Sequence, residues 1–116
     1  MTKLAIEQID VDDTKLAEFV AGKNAEVRVY FNRAFTVGEK KRAREVANSV
    51  LLDGQAASAG SDFVRFYVRD GGPVERFLEI ARAGCSKWDD EAAQELKQAE
   101  ADLHSLESSL RDFIKQ

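Results

Sequence analysis

Two stretches of the chain alternate apolar and polar side chains with the period of two that places neighbours on opposite faces of a β-strand. Residues 26–31 and 63–69 follow this pattern, and residues 3–9 follow it more weakly. The sequence therefore predicts three strands, each with one apolar and one polar face, as in a sheet covered on one side. In the two clearer strands the polar face carries Arg28, Tyr30, Arg65, Tyr67 and Arg69.

Apolar residues at helical spacing predict four helices. The first covers residues 12–21 and the second residues 37–52, where Thr36 and Glu39 have the spacing of a capping box. The third begins near Pro73 and ends at Gly84, and the fourth runs from residue 89 nearly to the end. The first helix is expected to begin at the N-cap Asp12 and to bury one stripe: Leu16, Phe19 and Val20.

Residues 53–62 are small and polar, which predicts a long loop. The resulting fold class is α+β: a small three-stranded sheet with helices packed on it and a long C-terminal helix with a heptad pattern. A length of 116 residues with 44% hydrophobic side chains suits one domain, residues 1–116, of which residues 89–116 form the last helix. No apolar run approaches the roughly 20 residues of a membrane span, and no signal-peptide core is present, so a cytoplasmic location is expected.

The last helix has apolar residues spaced by alternating steps of four and three, which is the heptad pattern of a coiled coil. When Leu96, Leu103 and Leu110 are placed at heptad position a, the flanking positions e and g include four acidic residues. The core residues are Ala92, Leu96, Ala99, Leu103, Leu106, Leu110 and Phe113, and the acids are Glu95, Glu100, Asp102 and Glu107. In a parallel homodimer these acids would face one another, which disfavours that arrangement but leaves an antiparallel dimer open.

Two interpretations of this helix follow. In the first, it packs on its own domain and covers the arginine–tyrosine face of the sheet, because its carboxylates would suit Arg28, Arg65 and Arg69. In the second, it pairs with another chain, as in a structural or assembly protein that oligomerises through this helix.

Candidate catalytic groups are few. His104 is the only histidine and falls on the solvent side of the last helix, and Cys85 is the only cysteine and lacks a neighbouring base. One cysteine excludes an intramolecular disulfide and a cysteine-based zinc cluster. No nucleotide-binding, metalloprotease or hydrolase motif occurs. The protein is therefore predicted not to be an enzyme, with no cofactor and no metal site.

The charge is unevenly distributed, although the chain as a whole is only mildly acidic, with a net charge of −4. Residues 23–48 carry seven basic and three acidic side chains, whereas residues 89–116 carry three basic and eight acidic ones. The basic side chains Lys40, Lys41, Arg42 and Arg44 crowd the first turns of the second helix, where cations oppose the helix dipole. This placement suggests a binding site, but a solvated basic face or salt bridges to the acidic tail would explain it as well.

Two partner classes fit the basic helix taken together with the arginine–tyrosine face. A protein with an acidic surface is the leading candidate, because it tolerates a partner of net negative charge. A nucleic-acid partner is the alternative, since basic side chains interleaved with Tyr30 and Tyr67 could contact phosphates and stack on bases. No membrane partner is expected.

One set of residues between positions 30 and 85 carries a resemblance to known proteins. The set is Phe31, Asn32, Glu39, Lys40, Lys41, Arg42, Asn48, Phe63, Phe66, Asp70, Pro73, Phe77, Leu78 and Cys85. With these residues the chain resembles a phage-encoded anti-CRISPR family that inhibits type II-C effector nucleases. The resemblance implies a non-enzymatic phage protein that inhibits the nuclease by gripping its HNH domain. It does not extend to the terminal heptad helix.

The residues and the resemblance together predict a small acidic protein that acts through protein–protein contact as an inhibitor or adaptor. Nucleic-acid binding and assembly through the last helix remain the two alternatives.

Overall fold

The structure is a computed structural model that describes residues 2–115. Its strands are β1 (Ile6–Val11), β2 (Ala25–Phe31), β3 (Ala56–Ala59) and β4 (Phe63–Val68). Its helices are α1 (Leu16–Val20), α2 (Val37–Ser49), α3 (Gly72–Gly84) and α4 (Trp88–Lys115), with a short 3₁₀ turn, Cys85–Lys87, between the last two. The α+β class predicted from the sequence is confirmed.

All neighbouring strands are antiparallel, in the order β1-β2-β4-β3. The two strands with the clearest alternation, β2 and β4, lie at the centre of the sheet. Val29 pairs with Val64, and Val27 with Phe66, and all four side chains are buried on the same face. The alternation therefore predicted both the central strands and the direction in which each side chain points.

The prediction of three strands is wrong, because the sheet has a fourth. β3 lies within the stretch predicted as a loop and pairs with β4, with Ala57 opposite Phe66 and Ala59 opposite Val64. Backbone hydrogen bonding to β4 holds this edge strand, and Ala57 packs against the core. Its sequence, AASA, has no large or β-branched side chain, and so it gives no strand signal.

The core lies between the apolar face of the sheet and helices α2 and α3. Phe77 of α3 is completely buried, with its ring centroid 5.2 Å from that of Phe66. Trp88, at the start of α4, is 2% exposed and lies against Phe31 and Phe77 at centroid distances of 6.1 and 6.3 Å. The first residue of the long helix is thus anchored in the core.

The first helix is shorter than predicted, and its stripe is not buried. Asp12 does not cap it; instead, its carboxylate accepts hydrogen bonds from the backbone N–H and hydroxyl of Thr14, at 3.0 and 2.6 Å. Leu16 and Val20 are 66% and 77% exposed, and only Phe19 is half-buried. Five residues make little more than one turn, too short for one face to be fixed against the sheet.

Helix α4 extends well beyond the rest of the fold. Its 28 residues correspond to about 42 Å, and the whole structure measures 68 × 35 × 20 Å. Every residue from Ala93 to Lys115 is exposed. Only the first turns of this helix therefore belong to the packed domain.

Among residues 2–115, no helix has both the length and the apolar character needed to cross a membrane.

Candidate protein-binding surfaces

The base of α4 is fixed to the N-terminal end of α2. The hydroxyl of Thr36 donates a 2.7 Å hydrogen bond to the carboxylate of Asp89. One turn on, a Cβ added at Gly38 would lie only 2.9 Å from the Cβ of Ala92, so the two helices approach closely here because residue 38 is a glycine. The long helix consequently leaves the domain along α2.

Two of the four basic residues of α2 meet the acids of α4. Arg42 lies 3.1 Å from Glu91, 3.3 Å from Glu95 and 3.0 Å from Glu45 on its own helix. Lys41 lies 3.7 Å from both Glu45 and Glu95. The Arg42 pKa is raised, because these three carboxylates together outweigh the burial that lowers it. For Lys41 and Arg42 the structure therefore shows one of the open alternatives, salt bridges to the acidic tail.

The other two basic residues, Lys40 and Arg44, are exposed. Neither forms a salt bridge within residues 2–115. They are the members of the basic cluster whose charge stays available to a partner.

This contrast predicts different outcomes for two arginines on one helix. Arg42→Gln is expected to lower the free energy of unfolding by about 1 kcal/mol, because it removes the centre of a network of three carboxylates. Arg44→Gln should change it by less than about 0.5 kcal/mol. Urea denaturation of both variants measures the difference, and equal effects would show that the network is not formed in solution.

On the polar face of the sheet, one carboxylate, that of Glu26, links two arginines. Its Oε1 lies 2.8 Å from Nε of Arg65 and 3.3 Å from a terminal nitrogen of Arg28. Both guanidinium groups also lie over the ring of Phe63, at 5.1 and 5.5 Å from its centroid. The hydroxyl of Tyr30 accepts a hydrogen bond from Arg28, which is the main reason that the Arg28 pKa is raised. These arginines are thus partly neutralised within the face.

Arg69 tethers the region around α1. Its guanidinium donates to the carbonyl oxygens of Phe19 and Lys23 at 2.8 and 2.6 Å, and lies 4.0 Å from the centroid of the Phe19 ring. Tyr67 is 37% exposed and lines a groove of about 360 Å³ beside α1, together with Val11 and Leu16. The nine residues predicted to bind a partner therefore do not form one continuous surface: four lie on α2, which packs on the apolar side of the sheet, and five lie on the polar face of the sheet and beside α1.

The apolar seam of α4 is uncovered, so the interpretation that this helix covers the arginine–tyrosine face is wrong. The helix lies along α2, which packs on the apolar side of the sheet, and its residues are exposed from Ala93 to Lys115. Six large side chains along it, which we call the distal seam, are between 55% and 82% exposed: Leu96, Leu103, Leu106, Leu110, Phe113 and Ile114.

Sequence reasoning missed two acids that organise these surfaces. Glu26 neutralises the sheet face, and Glu39 is 2% exposed and paired with Arg33 at 2.7 Å. A signal was present for Glu26, since it precedes Arg28 by two residues in the same strand and so shares the face of Arg28 and Tyr30. For Glu39 the capping-box spacing was visible, but its ion pair with Arg33 was not.

His104 is exposed and Cys85 is buried, with the thiol 3.0 Å from the carbonyl oxygen of Leu4. Burial raises the pKa of the Cys85 thiol. Within residues 2–115, no cluster of three or more histidine, cysteine or acidic side chains is arranged to hold a metal ion.

Comparisons of the chain with protein-family models, curated proteins and solved structures gave no match.

Proposed function

We propose that this protein is a non-enzymatic binding module, an inhibitor or adaptor that acts in the cytoplasm by holding another protein on the distal seam of α4. The observation that carries the proposal is the exposure of that seam. Leu103, at its middle, is 66% exposed, and Phe113, near its end, is 75% exposed. Exposed apolar patches of this extent, rimmed by polar residues, mark interaction sites.

The length of the unsupported helix adds to this argument. Every residue from 93 to 115 is exposed, and helices owe most of their stability to packing of an apolar face. A regular heptad maintained over such a segment is suited to forming an interface rather than to stabilising this domain.

Many of the residues that carry the resemblance to type II-C anti-CRISPR proteins serve the fold of this chain rather than a binding surface. Several of the residues that carry it are buried, among them Phe31, Phe66, Phe77 and Cys85. Asn32 holds the N-terminal segment by accepting from the N–H of Ala5 and donating to the carbonyl of Lys3. The resemblance makes a type II-C nuclease a candidate partner. It does not include the distal seam, however, so it does not predict which surface binds.

Self-assembly is the second candidate, since the same seam could pair with that of another copy. In a parallel pair, Glu95 would face Glu100 of the second copy, and Asp102 would face Glu107. In an antiparallel pair centred between Leu103 and Leu106, only Glu100 and Glu107 oppose each other across the interface. The antiparallel dimer is thus the form of self-assembly to test.

A photo-crosslinking amino acid placed at two positions of α4 tests the proposal. Position 103 lies in the seam, and position 108, a serine on the opposite face of the same helix, is the matched control. In cells that produce the protein, we expect a discrete adduct with a second protein from position 103 and none from position 108. Purified type II-C nuclease, with DNA cleavage as the readout, is the first defined partner to test in the same way.

An adduct containing only this chain would establish the antiparallel assembly instead. No adduct from position 103, or the same adduct from both positions, would overturn the proposal that the seam binds a protein.

A further inference from the structure

We infer that the occupant of the distal seam is an amphipathic helix of another protein with lysine or arginine residues flanking its apolar stripe. This inference rests on the proposed function and specifies the chemistry of the partner. It follows from the acidic side chains beside the seam and from the salt bridges that α2 of this chain forms with the first of these acids, Glu95.

The seam is flanked by acids on both sides. Glu95 and Asp102 lie along one edge, and Glu100 and Glu107 along the other, as the heptad positions require. A helix that packs its apolar stripe into the seam brings its own flanking residues beside these carboxylates. Basic residues there attract the carboxylates, whereas acidic residues repel them.

Helix α2 already forms this kind of contact at the base of α4. Lys41 and Arg42 of α2 face Glu91 and Glu95, at distances of 3.1 to 3.7 Å. Basic side chains on a neighbouring helix thus neutralise the acids of α4 where the two helices are adjacent. A basic partner helix would continue beyond Glu95 the arrangement that α2 begins.

Beyond Glu95 the acids lack such a neighbour. Glu100 and Asp102 form no salt bridge within residues 2–115, although Gln98 donates a 2.9 Å hydrogen bond to Asp102. Among the described residues, Glu107 forms a salt bridge only with Arg111, one turn along the same helix. The basic residues of α4 itself therefore leave most of the flanking charge unmatched.

A second copy of this chain is the competing occupant, and the charges disfavour it. Even in the antiparallel arrangement, Glu100 of each copy would face Glu107 of the other, and no basic residue of this chain occupies a flanking position of the seam. A basic heterologous helix has the same apolar complementarity without this repulsion.

Two synthetic helical peptides test the inference on the full chain. Each is three heptads long with leucine at both core positions; one carries lysine and the other glutamate at every flanking position. Fluorescence anisotropy is expected to show the lysine peptide binding roughly thirtyfold tighter at low salt, because about three flanking contacts change from attraction to repulsion. This preference should shrink as salt is added, since the contacts are exposed.

Variants of α4 locate the binding and identify its cause. Leu103→Ala combined with Leu106→Ala should weaken binding of the lysine peptide at least about tenfold. Glu100→Gln, Asp102→Asn and Glu107→Gln together should reduce the preference between the two peptides at least about fivefold. Ser108→Ala, on the opposite face, should change neither quantity.

Equal affinity for the two peptides, or lysine-peptide binding that survives the double leucine change, would overturn the inference. So would sedimentation equilibrium that shows a homodimer stable at submicromolar concentration, because the seam would then already be occupied. If the inference fails while position 103 still crosslinks to a second protein, the proposed function stands with a partner of different chemistry. If position 103 also fails to crosslink to a second protein, both the inference and the proposed function are overturned.

Discussion

Replacing Glu39 with glutamine is expected to lower the free energy of unfolding by about 3–5 kcal/mol, the cost of breaking a buried ion pair by removing one partner. Glu39 is 2% exposed, and its two carboxylate oxygens accept hydrogen bonds from Arg33 at 2.7 and 2.8 Å. One oxygen also accepts from the backbone N–H of Thr36, which closes the capping box of α2. Arg33 in turn donates to the carbonyl of Thr2 at 2.6 Å, so the ion pair joins the N-terminal segment to the loop after β2 and to α2.

The same ion pair predicts a pH dependence. Hydrogen bonds from Arg33 hold the pKa of Glu39 below its ordinary value of 4.5. A carboxyl whose folded pKa is depressed adds stability that is fully present above its unfolded pKa and is lost as the pH falls through the folded value. The stability of the natural protein should therefore fall on acidification below the ordinary carboxylate range, and the Glu39→Gln variant should show less of this loss.

Glu45→Gln is the control, because Glu45 lies on the same helix but is exposed, and its surface pairs contribute about 0–1 kcal/mol. Chemical denaturation of the natural protein and both variants across the acidic range makes the comparison. If Glu39→Gln costs no more than Glu45→Gln, or has the same pH profile as the natural protein, the buried pair does not stabilise the fold.

The second large effect is expected at Trp88. Trp88→Ala should cost about 3–5 kcal/mol, because this side chain is 2% exposed among the rings of Phe31 and Phe77, and its removal leaves a cavity. Phe113→Ala, on the same helix, should cost less than about 0.5 kcal/mol, since that ring is 75% exposed.

Thermal and urea unfolding of the two variants measure this contrast at dilute concentration. A substantial loss of stability in Phe113→Ala would show that the distal seam is covered in the isolated protein. A small loss in Trp88→Ala would show that the base of α4 is not anchored in the core.

Much of the fold could be predicted from the sequence, because its elements depend on local patterns. Alternation in residues 26–31 and 63–69 gave the central strands, and the capping-box spacing of Thr36 and Glu39 gave the start of α2. β3 could not be predicted in this way, because it exists through pairing with β4. Pairing between distant segments cannot be read from a strand made of alanine and serine, because these residues have little β-propensity.

The candidate surfaces were harder to predict, for a physical reason. A heptad pattern specifies that a helix packs an apolar stripe, but the same pattern serves a core, a second copy or a foreign helix. The sequence therefore identified Leu103 and Leu106 as packing residues without identifying what packs on them. The basic cluster posed the same difficulty, since only the structure separates Arg42, which meets Glu91, from Arg44, which is exposed.

The measurement that tests the central claim most directly is amide hydrogen exchange along the isolated chain at micromolar concentration. If the distal seam is uncovered, residues 97–115 should exchange far faster than strands β2 and β4, because helical amides without a packed face open locally at little cost. Adding the lysine-flanked peptide should then slow exchange in that segment while the sheet stays unchanged. Protection of residues 97–115 as strong as that of β2 and β4, in the isolated monomer, would contradict the account.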